Sequence, residues 1–140
     1  MKYLLDTCVI SELIKPQPNP SVIEWIKSKA EENFYISVLT IAEIQKGITK
    51  LPESKRKNNL QDWLDNNLHQ RFYGRIFDIS NEIAACWGKI QGEAELKGKK
   101  MSVIDSFIAA TGIIFDCTVV TRNVSDIQES GCKVYNPWEK

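Results

Sequence analysis

Short apolar stretches alternate with amphipathic segments along this chain, and that alternation restricts its possible folds more than any other feature. Five stretches have the length and composition of β-strands: Lys2–Leu5, 34–36, 75–79, 117–121 and 133–135. Between them, apolar residues recur every three or four positions, as on one face of a helix. The pattern predicts an α/β fold in three layers, with helices covering a parallel sheet. A chain of 140 residues without a linker or repeat is expected to form one domain, 1–140.

Composition excludes several classes of protein. Asp6 and Glu12 interrupt the apolar N-terminal stretch, so a secretory signal peptide is not predicted, and no window is apolar for long enough to span a bilayer. The four cysteines are widely spaced, which predicts reduced thiols in a cytoplasmic protein without membrane contact. With one histidine, His69, and no cysteine cluster, a zinc site is not expected.

Four acidic residues stand near junctions where an apolar strand gives way to a helix or turn. They are Asp6, Glu43, Asp105 and Asp126. Parallel α/β folds bind ligands outside the carboxyl ends of their strands, so this fold would bring the four together. Structural interpretations compete: Asp6 as a helix cap, Glu43 as a solvated helix residue and Asp126 as a turn residue. Asp105 is embedded in an apolar segment with no basic residue nearer than Lys100, which makes it the strongest candidate.

Carboxylates gathered in one pocket need either a proton or a cation. Two of them about 4 Å apart repel each other by about 4 kcal/mol at an effective dielectric constant near 20. Oxygen ligands without histidine or cysteine favour Mg²⁺, with Mn²⁺ as the alternative. Because such ions activate water and stabilise charge on a phosphoryl oxygen, the predicted reaction class is metal-assisted hydrolysis of a phosphodiester.

At these residues the chain resembles the PIN-domain ribonucleases, in particular the toxin component of bacterial VapBC-type toxin–antitoxin pairs. The matching stretches follow the family order over almost the whole chain: LLDTCVISEL, ISVLTIAEIQKGI, MSVIDSFIAATG, VVTRNVSDI and VYNPW. The resemblance implies a Mg²⁺-dependent endoribonuclease with an RNA substrate, neutralised by a cognate antitoxin. It also implies a homodimer, and promoter DNA bound only through the complex with the antitoxin.

The resemblance implies roles for individual acidic residues. Asp6 and Asp105 would be the principal Mg²⁺ ligands, and Glu43 would complete the set directly or through water. The fourth family acid falls in the segment TRNVSD. Asn123 stands at its expected place and Asp126 follows three positions later, so the choice between them stays open.

Other residues in these motifs would contact the substrate or support the acids. Thr7 and Thr121 would hydrogen-bond the carboxylates or the scissile phosphate. Arg122 would hold the RNA backbone, with Asn123 beside it. Cys8, where many relatives have asparagine, is interpreted as a small packed residue. The tryptophans are assigned to core or dimer packing: Trp25, Trp63, Trp87 and Trp138.

Two other functions agree with part of the sequence. A catalytically weak PIN module would act mainly through antitoxin binding and promoter-DNA regulation, which Asn123 favours and the retained acids disfavour. An aspartyl-phosphate phosphatase requires a second aspartate two residues after its nucleophile. Cys8 occupies that place, so this function is disfavoured.

Overall fold

The computed structural model describes residues 1–139 and contains five strands that all pair in parallel. They are β1 (Lys2–Leu5), β2 (Phe34–Ser37), β3 (Ile76–Phe77), β4 (Cys117–Val120) and β5 (Val134–Tyr135). Their order across the sheet is β3-β2-β1-β4-β5, so β1 is central. Each strand lies where the apolar stretches predict it, although β3 and β5 are shorter than expected.

Eight α-helices connect or flank these strands within the described residues. They are α1 (Thr7–Leu13), α2 (Pro20–Lys27), α3 (Val38–Thr49), α4 (Lys55–Asp62), α5 (His69–Arg71), α6 (Asn81–Leu96), α7 (Val103–Ile114) and α8 (Val124–Glu129). A π-helical turn, Trp63–Leu68, joins α4 to α5, and a 3₁₀ turn, Glu31–Asn33, precedes β2. Residues that favour capping positions begin two of these helices: Asn19 caps α2 with Pro20 at its first position, and Ser80 caps α6.

The prediction of a turn after β4 is wrong, because this segment forms helix α8. The helix has six residues and buries only Ile127. It also begins without a capping hydrogen bond from the Asn123 side chain. A segment this short has no repeating apolar face, so periodicity could not distinguish it from a turn.

The sheet separates two apolar cores, which confirms the three-layer α/β fold class. Leu4 and Leu5 are both fully buried, yet they belong to different cores because successive strand residues face opposite sides of the sheet. Leu5 packs mainly with residues from the first 72 positions of the chain, including Phe34 and Phe72. Leu4 packs with residues of α6 and α7, including Ile83 and Ile108. Buried strands of this kind are typical of parallel sheets.

The structure also bears on two predictions from composition, the state of the cysteines and the absence of a membrane-spanning segment. The four cysteines are free thiols, as the sequence predicts. Within residues 1–139, no helix is long and apolar enough to cross a membrane.

Candidate acidic active site

The carboxyl ends of β1 and β4 bring Asp6 and Thr121 together. Leu5 pairs with Val120, so the residue after each of them leaves the sheet at the same level. Asp6 Oδ1 accepts a hydrogen bond from the Thr7 amide at 2.8 Å, and Thr121 Oγ1 donates to Asp6 Oδ2 at 2.8 Å. Asp6 therefore caps α1 with one oxygen and faces Thr121 with the other, while its side chain stays buried.

Helix α3 adds Glu43 to the same region through a contact with Thr7. Thr7 Oγ1 donates to Glu43 Oε1 at 2.5 Å, and Thr40 Oγ1 lies 3.3 Å from the Thr7 hydroxyl. Burial raises the pKa of Asp6 most, and the charge of nearby Glu43 raises it further. The bond from Thr7 thus orients the Glu43 side chain.

Asp105 enters the site from the first turn of α7. Ser102 caps this helix, and its Oγ accepts the Asp105 amide at 3.0 Å. Asn123 Nδ2 donates to Asp105 Oδ2 at 2.8 Å, and the Asn123 amide donates to Thr121 Oγ1 at 3.0 Å. Asn123 and Thr121 therefore link Asp105 to Asp6 through hydrogen bonds.

These side chains border one open cleft with a volume of about 530 Å³. The lining residues are Asp6, Thr7, Cys8, Glu43, Asp105, Arg122 and Asn123. The three predicted metal ligands are thus brought together, and three of the four predicted substrate contacts lie beside them. The fourth, Thr121, is fully buried and donates to Asp6. Of its two predicted partners, a carboxylate or the scissile phosphate, it therefore bonds the carboxylate.

Asn123, and not Asp126, lies at the fourth place in this cleft. Asp126 is in the first turn of α8 and lines a second cavity, whose wall also includes Lys97, Lys99 and Glu129. Its charge is nevertheless close enough to raise the pKa of Asp105. Whether Asp126 takes part in catalysis stays a prediction.

The cleft concentrates negative charge that the protein neutralises only in part. Burial is the largest cause raising the pKa of Asp6, which hydrogen bonds from Thr121 and Thr7 oppose. Burial also raises the pKa of Asp105, and the charge of Asp6 raises it further. Arg122 is the single cationic residue among those lining the cleft. A bound cation would favour the ionised form of both aspartates.

The donor set fits a hard divalent cation. The cleft offers carboxylate, hydroxyl and amide oxygens and no imidazole, while the Cys8 thiol has a pKa raised by burial and is a poor ligand for such an ion. Within residues 1–139, no three His, Cys, Asp or Glu side chains converge on one point. Mg²⁺ usually keeps several waters and needs one or two carboxylates. Asp6 and Asp105 could therefore hold it, with Glu43 acting through water.

Two residues to which sequence analysis assigned no role in the site contact Arg122. The Arg122 guanidinium lies 4.2 Å from the ring centroid of Trp138 and 3.6 Å from Glu12 Oε1. Trp138 was predicted to pack in the core or a dimer interface, and it also contacts the apolar core that contains Leu5. The available signal was the same for both residues, since Glu12 lies in the matching stretch LLDTCVISEL and Trp138 in VYNPW.

For the Mg²⁺ that this cleft is predicted to hold, we expect Thr121→Val to weaken binding about 10- to 100-fold, the range for loss of a residue that supports a metal ligand. Valine keeps the buried shape but removes the hydroxyl that donates to Asp6 Oδ2. The pKa of Asp6 would then rise further, because one stabilising hydrogen bond is lost. Isothermal titration with MgCl₂ measures the change. Thr111→Val, which removes a buried hydroxyl bonded to its own helix, is the matched control; equal affinity in Thr121→Val and wild type would contradict the expectation.

The raised pKa of Asp105 predicts a pH dependence of stability without metal. Between the ordinary pKa and the raised one, folded Asp105 holds a proton that the unfolded chain releases; above the raised pKa, the ionised carboxylate lowers the free energy of unfolding. That penalty is relieved as pH falls through the raised pKa toward the ordinary value of 3.8. In EDTA, the melting temperature of wild type minus that of Asp105→Asn should therefore increase as the pH is lowered from about 7 to about 4. A constant difference between the two proteins would show that Asp105 is not perturbed.

Residues 3–125 match the family model described as the PIN domain. The chain belongs to the PIN-domain family, as the sequence motifs predict.

Relatives of the chain include proteins named as toxins and ribonucleases. Toxin FitB from Neisseria gonorrhoeae is 38% identical over 135 residues, covering 96% of this chain and 97% of that protein. VapC ribonuclease Y4jK from Sinorhizobium fredii is 32% identical over 136 residues, with 97% of each chain covered. The crystal structure of FitAcB from N. gonorrhoeae superimposes with a TM-score of 0.92 at 37% identity, over 99% of both chains.

Proposed function

We propose that this protein is a Mg²⁺-dependent endoribonuclease toxin that hydrolyses RNA phosphodiester bonds. The observation on which the proposal mainly rests is the grouping of Asp6, Glu43 and Asp105 in one cleft beside Arg122. The raised pKa values of the two aspartates support a role for a cation in that cleft. The relatives named toxin FitB and VapC ribonuclease support the toxin and RNA parts of the proposal.

Asp6 and Asp105 would hold the ion, and the hydrogen bonds they already accept would orient them. When bound, Mg²⁺ supplies an electrophile that stabilises charge on a phosphoryl oxygen and makes water a better nucleophile. Thr121 and Asn123 hold the two carboxylates at fixed positions through bonds of 2.8 Å each. Their role is orientation, which lowers the entropic cost of assembling the site.

Glu43 is the residue best placed to position the attacking water and accept its proton. Its Oε1 accepts from Thr7, whereas Oε2 receives no hydrogen bond from residues 1–139. A half-buried carboxylate held at one oxygen presents the other in a defined direction. Arg122 would bind a phosphate of the RNA strand, because a guanidinium donates to two phosphate oxygens at once.

The proposed protein partner is a cognate antitoxin. FitAB was solved bound to the IR36 DNA fragment, and VapBC2 from Rickettsia felis was solved bound to a DNA fragment from their promoter. The excess negative charge of the cleft suits a basic segment of a partner protein. By this proposal the toxin contacts promoter DNA only through that complex. The proposal includes a homodimer, for which exposed apolar residues of α7 such as Val103 and Ile113 are available.

The test is cleavage-site mapping on total RNA incubated with the purified protein. We expect discrete cleavage products with MgCl₂ or MnCl₂ and none with EDTA. Cleavage that continues in EDTA would contradict the metal requirement. A protein that binds its antitoxin tightly but cleaves no RNA with either ion would instead support the alternative, a catalytically weak PIN module that acts through promoter regulation.

A further inference from the structure

Arg122 is held at the edge of the acidic cleft by two residues outside it, Glu12 and Trp138. The three residues come from different parts of the chain: Glu12 from α1, Arg122 from the segment after β4, and Trp138 from the segment after β5. The guanidinium lies over the indole ring at 4.2 Å and within 3.6 Å of the Glu12 carboxylate. Tryptophan is the aromatic side chain that attracts a cation most strongly.

Glu12 is a fixed anion in this arrangement. Only 5% of the residue is exposed. Its Oε2 accepts the Asn19 amide at 2.9 Å, and its Oε1 accepts Lys15 Nζ at 3.0 Å and Trp138 Nε1 at 3.3 Å. The bond from the Asn19 amide is the largest cause that lowers the pKa of Glu12, so the carboxylate is ionised at neutral pH.

Trp138 is fixed as well, because both of its N–H groups are engaged. The indole N–H donates to Glu12, and the backbone amide donates to Asn136 Oδ1 at 2.9 Å. Its ring packs against the apolar core that contains Leu5. The ring therefore offers Arg122 a flat surface whose position does not depend on the substrate.

The guanidinium donors of Arg122 are not used by the described part of the chain, whereas its backbone amide donates to Cys8 Sγ. Within residues 1–139 the guanidinium makes no hydrogen bond, since 3.6 Å to Glu12 is too long for one. Stacking and charge thus fix its position while its N–H groups remain available. The side chain is 57% exposed and belongs to the lining of the cleft. An arginine held in this way is prepared to bind a phosphate with two donors at once.

We propose that Glu12 and Trp138 are positioning residues that hold Arg122 as the anchor for an RNA phosphate next to the scissile bond. The inference rests on the proposed ribonuclease function and adds two residues to it. A purely structural role, in which the stack only fastens the C-terminal segment to α1, would leave substrate affinity unchanged once the protein is folded.

Steady-state cleavage of a single-stranded RNA oligonucleotide with MgCl₂ distinguishes the two roles. Arg122→Ala should raise KM about 10- to 100-fold with a smaller effect on kcat, as expected when a charged hydrogen bond to substrate is lost. Trp138→Leu and Glu12→Gln should raise KM in the same direction. Trp138→Phe, which keeps an aromatic face, should have a KM between those of wild type and Trp138→Leu.

Arg71 and Glu31 provide a matched control away from the cleft. Arg71 likewise lies over an aromatic ring, that of Phe72 at 5.3 Å, and pairs with Glu31 at 3.0 Å. Arg71→Ala and Glu31→Gln should keep the wild-type KM. A KM that rises equally in these controls would overturn the proposal, because general loss of surface charge would then be the cause.

The double variant Arg122→Ala/Trp138→Leu gives the sharpest result. If Trp138 acts through Arg122, adding Trp138→Leu to Arg122→Ala should change KM no further. Independent, multiplicative effects would overturn the proposal, as would wild-type KM in folded Trp138→Leu and Glu12→Gln. If wild type itself cleaves no RNA with Mg²⁺ or Mn²⁺, the proposed function is wrong and this inference fails with it; cleavage with unchanged KM in the variants rejects the inference alone.

Discussion

Replacing Asp105 with asparagine should reduce RNA cleavage more than about 100-fold while leaving the protein folded. Loss of a residue that supports a metal ligand lowers metal affinity or activity about 10- to 100-fold, so loss of the ligand itself should lower activity further. Asparagine has nearly the same shape, and its side-chain oxygen can still accept from Asn123 Nδ2. Because the ionised carboxylate is disfavoured by burial and by Asp6, its removal should also raise stability in EDTA.

Cleavage rate and melting temperature, measured on the same preparations, test this prediction. Added Mg²⁺ should raise the melting temperature of wild type and have little effect on Asp105→Asn, because only wild type retains the site. Asp78→Asn is the control, since Asp78 follows β3 but is exposed and outside the cleft lining. Wild-type cleavage by folded Asp105→Asn would refute the assignment of the site.

The same assay decides the fourth position of the site. Asp126→Asn should keep most of its activity, because Asp126 lies outside the cleft on α8. Asn123→Ala should lose activity, because it removes the donor to Asp105 Oδ2. Equal losses in Asp126→Asn and Asp105→Asn would return Asp126 to the catalytic set.

Gly112→Ala should destabilise the protein by about 1–3 kcal/mol, the usual cost of an extra methyl group in a filled core. A Cβ at this position of α7 would lie 2.7 Å from Cys132 Sγ and 2.9 Å from Val119 Cγ2. Both neighbours are buried, so α7 would have to move away from β4. Since β4 leads directly to Thr121 and α7 carries Asp105, the same displacement should lower activity.

Urea unfolding measures this loss, and two further variants test its cause. Gly92→Ala, at an exposed position of α6, meets nothing within 4 Å and should stabilise the protein by up to about 1 kcal/mol. Cys132→Ala removes the nearest atom, so it should restore part of the stability of Gly112→Ala. Additive losses in that double variant would show that contact with Cys132 is not the cause.

Local sequence was sufficient to locate most elements of the fold. The apolar stretches located the strands, and Asn19-Pro20 and Ser80 located two helix starts, because capping and burial act over a few neighbouring residues. The order β3-β2-β1-β4-β5 could not be derived in the same way. The pairing of Leu5 with Val120 joins residues far apart in sequence and depends on how the whole chain packs.

The sequence by itself determined which chemical groups the site could contain, because acids next to apolar strands are recognisable one segment at a time. Only the tertiary structure decided which of them meet. It placed Asn123, and not Asp126, against Asp105, because α8 turns Asp126 toward another cavity. It also brought Trp138 to Glu12, 126 positions away. Periodicity reports whether a residue is buried, whereas contacts between distant residues exist only after the strands have paired.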